Sequence, residues 1–379
     1  MVNQQHYFAR RLLKKSLSVT LASTMLLGMV TIGNVFGPKA SAAEMWSEGD
    51  YDLVTKDDGT IRIEHYNGTA ANVTIPATIG DKVVSEIGDQ AFENNDDIES
   101  ITFSEGNVKI GRYTFNGCDL LEEINFSSTL TTIGNNAFNN CRALQSVEIP
   151  STVKTLGDRA FNACPILTEV KLNEGLERMG NRFIAGTPVS EIYIPSTVTW
   201  AEEAFADAGL LETVTFGEGI TSIPNDMFED NNSLRELTIP DTVTKLGNDS
   251  LCQMGALESI VIPDTVTEMG SYVLYECKNL ASVTIGKGVT TIPYCAFTRC
   301  VRLREITIPE NVTTIDNNAF DGCTMLSNVT LNEGLTKIGE HAFANTAITE
   351  ITLPVSLTSG SYPFNNCQKR VHRFCSSPR

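Results

Sequence analysis

The sequence predicts an elongated solenoid in which about thirteen short units stack, so that their strands form one long parallel β-sheet. Three observations lead to this prediction: a regular repeat along most of the chain, a short strand pattern in each unit, and a turn with apolar residues after each strand. The period is about 23 residues, a length that is typical of repeat architectures. One such unit cannot bury its apolar face alone, and stacked neighbours complete the core.

The repeat is defined by an aromatic or aliphatic residue that we call the anchor. Nine of the twelve steps between successive anchors have the same length as the step from Phe115 to Phe138, and the other three are shorter by one or two positions. The anchors are Phe92, Phe115, Phe138, Phe161, Phe183, Phe205, Phe228, Leu251, Leu274, Phe297, Phe320, Phe343 and Phe364.

The unit "LQSVEIPSTVKTLGDRAFNAC", which ends at Cys164, shows the pattern of one repeat. In an extended chain Val147 and Ile149 point to one face and Glu148 to the other. Pro150 ends the strand because its nitrogen has no hydrogen to donate to a sheet.

The second half of the unit carries a turn that returns the chain to the next strand. Spacings of one, three and four residues place Ala160, Phe161 and Cys164 on one side of a short helical turn. The sequence therefore predicts a short helical or irregular return in each repeat.

The first 42 residues have the pattern of a secretory signal peptide. A basic start precedes an uncharged apolar stretch, and Ala40-Ser41-Ala42 is a small-residue cleavage pattern. The rival interpretation is an uncleaved membrane anchor, because the uncharged stretch is long enough to cross a bilayer. If the signal peptide is cleaved, we expect a secreted, extracellular chain that is either released or displayed at the cell surface.

The charge excludes two classes of partner. The full chain has a formal net charge of −18, and removal of the five positive charges of the signal segment leaves −23. So acidic a chain is repelled by nucleic acid and by anionic membranes. We therefore expect no nucleic-acid partner, and membrane contact only if the signal segment stays uncleaved.

The two flanks of the repeat region differ from the repeats. Residues 43–71 contain two alternating runs around Asp57-Asp58-Gly59, which predicts a β-hairpin that caps the core. Residues 368–379, "QKRVHRFCSSPR", are basic and break the repeat. Three interpretations of this tail stay open: an imperfect cap, a segment that binds an anionic cell wall, or the product of a frameshift.

The repeats resemble the bacterial BspA-like leucine-rich repeats. "VEIPSTVKTLGDRAFNAC" and "ITIPENVTTIDNNAFDGC" carry the resemblance, which covers residues 72–367. It implies a curved leucine-rich-repeat solenoid with a parallel β-sheet, secreted or displayed at the surface, of the kind often used for adhesion or protein binding.

The cysteines raise the question of thiol chemistry, because seven of the ten lie three residues after an anchor. No C-x-x-C pair is present, which disfavours zinc. Disulfides suit a secreted chain with an even cysteine count. Packing is the favoured interpretation, because other repeats place Gly186, Ala208, Asn231 and Thr346 at this position. Cys295 and Cys375 depart from the pattern and are the cysteines we expect to be reactive.

The predicted core ladder therefore joins anchors to cysteines. Its members are Phe115, Phe138, Phe161, Phe297, Phe320, Cys118, Cys141, Cys164, Cys277, Cys300 and Cys323.

The sequence contains no arrangement that indicates catalysis. Outside the signal segment the only histidines are His65, His341 and His372, each in a different region. No unit has a singular pair of carboxylates, and no phosphate-binding loop or H-E-x-x-H motif is present. We expect no enzyme activity, no catalytic residues, no metal and no cofactor.

The outward strand position is the candidate for ligand binding. Down the repeats it is Thr in seven of twelve units, and Thr is a good strand former. Glu148, Lys171 and Tyr193 depart from this pattern in consecutive units, and Trp200 follows nearby. Tyr and Trp are enriched at binding hot spots, so these four residues are the predicted ligand patch, although burial of Trp200 in the core stays an alternative.

The sequence thus predicts a monomeric binding scaffold for a protein or glycan ligand, similar to an adhesin. Two alternatives stay open. One is a structural envelope protein that self-associates. The other is the repeat region of a larger anchored or enzymatic protein.

Overall fold

The computed structural model describes residues 44–358, 362–367 and 372–375, the last of these by backbone only. The predicted signal peptide and most of the basic tail lie outside the described residues. The described chain is a β-solenoid of about 12 turns and contains no helix. The predicted leucine-rich-repeat solenoid is confirmed, with slightly fewer turns than the thirteen expected.

Two ladders of strands run along the solenoid, and each is divided into short sheets instead of forming the one long sheet that was predicted. We call the first the front ladder; it consists of β4 (Asn72–Ile75), β7 (Ser100–Phe103), β9 (Glu123–Asn125), β11 (Ser146–Glu148), β13 (Glu169–Lys171), β14 (Glu191–Ile194), β15 (Thr213–Phe216), β18 (Ser259–Val261), β20 (Ser282–Thr284), β22 (Glu305–Thr307), β24 (Asn328–Thr330), β26 (Glu350–Leu353) and β27 (His372–Cys375). The side ladder consists of β6 (Lys82–Ile87), β8 (Lys109–Ile110), β10 (Thr132–Ile133), β12 (Thr155–Leu156), β16 (Ser222–Ile223), β17 (Lys245–Leu246), β19 (Glu268–Met269), β21 (Thr291–Ile292), β23 (Thr314–Ile315) and β25 (Lys337–Ile338).

The N-terminal segment forms an antiparallel sheet. Strand β1 (Met45–Glu48) pairs with β2 (Tyr51–Thr55), which pairs with β3 (Ile61–Tyr66) across the predicted turn at Asp57-Asp58-Gly59. Strand β3 then pairs in parallel with β6, and the short β5 (Thr78–Ile79) lies antiparallel to β6. The Tyr66 ring stacks on Phe92 at 4.8 Å between centroids. The hairpin therefore adjoins the first repeat, while its capping role stays a prediction.

The front ladder follows the predicted alternation of core and solvent positions. Strands β11 and β13 pair in parallel with Val147 opposite Val170 and Glu148 opposite Lys171. Val147 and Val170 are each 5% exposed, whereas Glu148 and Lys171 face solvent. This alternation is what a strand gives when one of its faces covers a core.

The side ladder was not predicted. Its strands are mostly two residues long, such as Thr155–Leu156, and they pair in parallel with their neighbours. Two isolated parallel bridges, Thr155 to Arg178 and Arg178 to Trp200, continue the ladder where no strand is formed. A second sheet is not apparent in the sequence, because two residues are too few for a period-two pattern.

The returns are irregular, and the helical alternative is wrong. Each return has left-handed backbone two residues before and two residues after its anchor, as at Asn136 (φ 56°) and Asn140 (φ 60°) around Phe138. Such residues interrupt any helix. The freed N–H groups donate to the next coil instead, as from Phe138 N to Ala160 O at 2.8 Å. These bonds between coils offset the cost of the left-handed backbone.

The pattern of left-handed residues shows that one anchor was assigned to the wrong residue. Arg182 (φ 54°) and Gly186 (φ 70°) flank Ile184 symmetrically, so Ile184 and not Phe183 occupies the anchor position. Phe183 takes the place of the alanine before the anchor, and its carbonyl accepts the hydrogen bond from Phe161 N at 2.8 Å. The step from Phe161 to Ile184 therefore has the regular length, and the following step to Phe205 is the short one.

The anchors form the predicted core ladder. Phe297, Phe320 and Phe343 are fully buried and stack almost parallel, with centroid distances of 5.0 and 5.1 Å. Phe115, Phe138 and Phe161 repeat this arrangement at 5.1 and 5.3 Å. Stacked aromatic rings add to the stability that their burial alone provides.

Candidate binding surface

The front ladder exposes one column of side chains at the outward position. It contains Thr102, Asn125, Glu148, Lys171, Tyr193, Thr215, Thr238, Val261, Thr284, Thr307, Thr330 and Thr352. Strand pairing sets Thr307 opposite Thr330 and Tyr193 opposite Thr215, so the column is continuous within each paired segment. Its side chains lie on one face because residues paired across parallel strands share a face.

Glu148 and Lys171 form one contact within this column. Lys171 Nζ lies 2.7 Å from Glu148 Oε1, and Asn173 Nδ2 donates to the same oxygen at 3.1 Å. These two hydrogen bonds, led by that of Lys171, hold the pKa of the Glu148 carboxyl below its usual range. Both partners of the ion pair are more than half exposed, so a ligand can reach either charge and the pair itself contributes little to stability.

Tyr193 lies on the next strand and has its own partner. Its hydroxyl donates to Glu174 Oε1 at 2.6 Å, and Ser196 Oγ donates to the other oxygen of that carboxylate at 2.8 Å. The hydrogen bond to Glu174 is the main cause that raises the pKa of Tyr193 to about 12. The same bond is the main cause that lowers the pKa of Glu174. Tyr193 is 39% exposed, and its hydrogen bond to Glu174 orients the side chain.

Trp200 lies in the side ladder and not in this column, so the column contains three of the four residues of the predicted ligand patch. Its backbone forms a bridge with Arg178 in the side ladder, and Met179 N donates to Trp200 O at 2.9 Å. The adjacent Ala201 takes the core position and is fully buried. Trp200 is half-buried, with the Arg178 guanidinium 4.4 Å from its ring centroid. Because the neighbouring Ala201 faces the core, Trp200 takes the outward position of the side ladder.

The cysteines of the core ladder are free thiols, and each donates a hydrogen bond of the same type. Cys323 Sγ donates to the carbonyl of Phe297, the anchor of the preceding repeat, at 3.1 Å. The same bond recurs at 3.1 to 3.4 Å for Cys118, Cys141, Cys164, Cys277, Cys300 and Cys367. The six predicted ladder cysteines are fully buried, as the packing interpretation requires.

The non-cysteine residues at this position show what it accepts. Because Ile184 is the anchor, Thr187 and not Gly186 is the equivalent residue, and its hydroxyl donates to Ile184 O at 2.7 Å. Thr346 makes the same bond to Phe343 O at 2.9 Å. Asn231 donates to Ala208 O at 3.0 Å, and Met254 fills another repeat without donating such a bond. The side chain at this position is therefore buried and often carries a hydrogen-bond donor.

Burial also disfavours the reactive thiolate form of five of these cysteines. It raises the pKa of Cys118 and of Cys277 to about 12, and it raises the pKa of Cys141, Cys300 and Cys323 as well. A thiol reacts as its thiolate, so these cysteines are inert at neutral pH. Cys295 is 6% exposed and its pKa is raised by burial too, which disagrees with its expected reactivity. The side chain of Cys375 lies outside the described residues.

The described residues contain no group of three or more histidine, cysteine or carboxylate side chains arranged to hold a metal ion. Across the same residues no helix is long and apolar enough to cross a membrane. The front ladder presents charged, aromatic and hydroxyl side chains on a repeating backbone, and such groups can bind a ligand non-covalently.

Comparison with known proteins supports this description. The family model for the BspA type leucine-rich repeat region matches in six copies across residues 85–208, 199–323 and 250–371. None of the curated proteins matches this chain.

Solved structures of bacterial repeat proteins are similar to the solenoid. A leucine-rich repeat protein from Bacteroides ovatus is 26% identical, with a TM-score of 0.59 over 86% of this chain and 99% of that one. The pneumococcal vaccine antigen PcpA is 18% identical, with a TM-score of 0.55 over 84% of this chain and 88% of that one. A leucine-rich cell surface protein from Faecalibacterium prausnitzii is 24% identical over 89% of this chain and 96% of that one, with a TM-score of 0.45.

Proposed function

The chain belongs to the BspA-type leucine-rich repeat family, and on this premise we propose that it is a secreted or surface-displayed binding scaffold for a protein or glycan ligand. It acts as a monomer, without catalysis, in the manner of an adhesin. The observation that carries the proposal is the exposed column of the front ladder, in which polar and aromatic side chains recur on a regular backbone.

The regular backbone supports binding because it limits the entropy lost on association. Each front strand pairs with at least one neighbour, and the buried anchors fix the distance between coils. Tyr193 is further held by Glu174, and Lys171 by Glu148. A side chain that is already oriented loses less freedom when a ligand binds.

Glu148, Lys171 and Tyr193 are the residues we propose for ligand contact on this ladder. They occupy three consecutive turns and differ from the threonine that fills most of the column. Tyr193 presents an exposed ring, and the pair of Glu148 with Lys171 presents both charges to solvent. Tyrosine is enriched at the energetic centre of interfaces, and exposed charges beside it favour a partner of complementary charge.

The test is a binding panel followed by substitution. Host matrix proteins, mucins and glycans are immobilised, and the purified chain is passed over them. Lys171→Ala combined with Tyr193→Ala is expected to weaken binding to any partner found by at least about tenfold. Thr307→Ala combined with Thr330→Ala is the matched control, because these paired threonines occupy the same column on β22 and β24.

Two results count against the proposal. Uniform failure of the panel at micromolar protein, with assembly into large species by light scattering, favours a self-associating structural protein. Equal weakening by the control pair shows that the contact is not specific to the three proposed residues.

A further inference from the structure

The corner where each return enters the front ladder differs between the two halves of the solenoid. Leu120, Ile166 and Leu210 occupy this corner five residues after the anchors Phe115, Phe161 and Phe205. They are 49%, 43% and 55% exposed, respectively. We call these three residues the apolar corner.

The apolar corner forms a stripe rather than three isolated positions. Its members lie on every second coil, and neighbouring coils are about 4.8 Å apart on the strand side, so the stripe extends for roughly 20 Å. On the coil between Leu120 and Ile166, Ala143 is half-buried, and on the coil between Ile166 and Leu210, Val189 is buried five residues after the anchor. The equivalent positions of the next four coils are Ser233, Ala256, Asn279 and Arg302, and only Met325 is again apolar and exposed. A single exposed leucine is ordinary, whereas a confined apolar stripe marks an interaction surface.

Carboxylates line this stripe on the side of the front ladder. Glu122, Glu169 and Glu212 are exposed and lie two or three residues after a member of the apolar corner. Glu191 is also exposed and begins strand β14, as Glu169 begins β13. None of the four forms an ion pair with another residue that the structure describes. By contrast, Glu148 and Glu258 are paired with Lys171 and Arg235.

From this arrangement we infer that the scaffold binds a protein segment in which lysine or arginine residues alternate with large apolar residues. The apolar side chains of that segment cover Leu120, Ile166 and Leu210, and its cations meet the unpaired carboxylates beside them. Charge complementarity favours this partner over an anionic membrane or an anionic glycan, both of which the carboxylates repel. The inference rests on the proposed binding function and names the class of partner.

The test uses a synthetic peptide of alternating lysine and leucine as the probe. Two further peptides, one of glutamate and leucine and one of lysine and serine, separate the charge contribution from the apolar one. Titration calorimetry is carried out with the wild-type chain and three variants. The corner variant is L120S/I166S/L210S. The charge variant is E169Q/E191Q/E212Q. The control is E236Q/E305Q/E350Q, which removes the same charge from exposed, unpaired glutamates further along the front ladder.

We expect the lysine–leucine peptide to bind best. We expect the corner and charge variants each to weaken it by about tenfold or more, and the control variant by less than about twofold. All substituted side chains are exposed, so circular dichroism spectra and melting temperatures should stay close to those of the wild type.

Three outcomes overturn the inference. The first is absence of binding by the lysine–leucine peptide. The second is equal binding by the lysine–serine peptide, which reduces the effect to net charge. The third is an equal effect of the control variant. A partner from the binding panel that responds to Lys171→Ala with Tyr193→Ala, but not to the corner variant, leaves the proposed function intact while it refutes this inference.

Discussion

Replacement of Phe320 by alanine is the sharpest test of the core ladder. Phe320 is fully buried and stacks on Phe297 and Phe343 at 5.0 and 5.1 Å. Loss of a buried phenylalanine side chain costs about 3–5 kcal/mol of the free energy of unfolding. Each lost ring contact adds about 0.5–1.5 kcal/mol, so we expect the total at or above the top of the first range.

Two matched variants separate the contributions. Phe320→Leu keeps an apolar side chain that Leu251 and Leu274 show to be compatible with the anchor position, so it should cost only about 1–2 kcal/mol. Cys323→Ala removes one buried sulfur and its hydrogen bond to Phe297 O, and should likewise cost only about 1–2 kcal/mol.

Urea unfolding followed by circular dichroism gives the three free energies. Because repeats can unfold in segments, amide hydrogen exchange of the neighbouring coils should report the same order of stabilities. The reasoning is refuted if Phe320→Ala costs less than about 1 kcal/mol, or if Cys323→Ala costs as much as Phe320→Ala.

Three further predictions concern the thiols, Tyr193 and Trp200. In folded protein at pH 8, Cys118 should react with a thiol reagent far more slowly than it does in urea-unfolded protein. Because burial raises the pKa of Cys118 from 9.0 to about 12, the stability that this thiol contributes is fully present below pH 9 and is lost as the pH rises toward 12. Fast labelling of Cys118 in the folded chain, located by peptide mapping, would contradict its burial. Tyr193→Phe should raise the pKa of the Glu174 carboxyl toward its ordinary value, because the lost hydrogen bond is the main cause of its lowering, and an unchanged carboxyl titration measured by NMR would show that the bond is not formed in solution. In a Trp46→Phe background, Arg178→Ala should shift the fluorescence emission of Trp200 to longer wavelength, because the guanidinium 4.4 Å from its ring no longer shields the indole from water; an unchanged spectrum would place Trp200 away from Arg178.

The features that were predicted correctly depend on the periodicity of the sequence. Repeating positions with one chemical character, such as Val147 and Val170 inward or Thr307 and Thr330 outward, are visible in the sequence and fix the register of the front ladder. The packing role of the repeat cysteines followed from the same comparison of equivalent positions.

The elements that were missed depend on backbone conformation and on neighbouring coils. The left-handed positions carry residues as different as Asn136, Arg159, Tyr272 and Cys295, so residue type does not reveal them. The hydrogen bonds between coils select this backbone regardless of the side chain that occupies it. The two-residue side strands are likewise specified by pairing with neighbours rather than by their own sequence.

The candidate surface was predicted in part for the same reason. Spacing alone placed Glu148, Lys171 and Tyr193 on consecutive turns, and the structure shows all three in the outward column of the front ladder. The hydrogen bond of Tyr193 with Glu174 crosses between coils, and no local pattern contains it.

By itself, the sequence determined that the chain is a stacked solenoid with a Phe and Cys core, because a single short unit cannot bury its apolar face without neighbours. Only the tertiary structure decided which residue is the anchor of the irregular repeat and which face Trp200 occupies. Ile184 takes the anchor position because the hydrogen bonds from the preceding coil fix its register, and the shortened coil that follows places Trp200 on the side ladder. Sequence spacing counts residues, whereas the position of a side chain depends on how the backbone closes each turn.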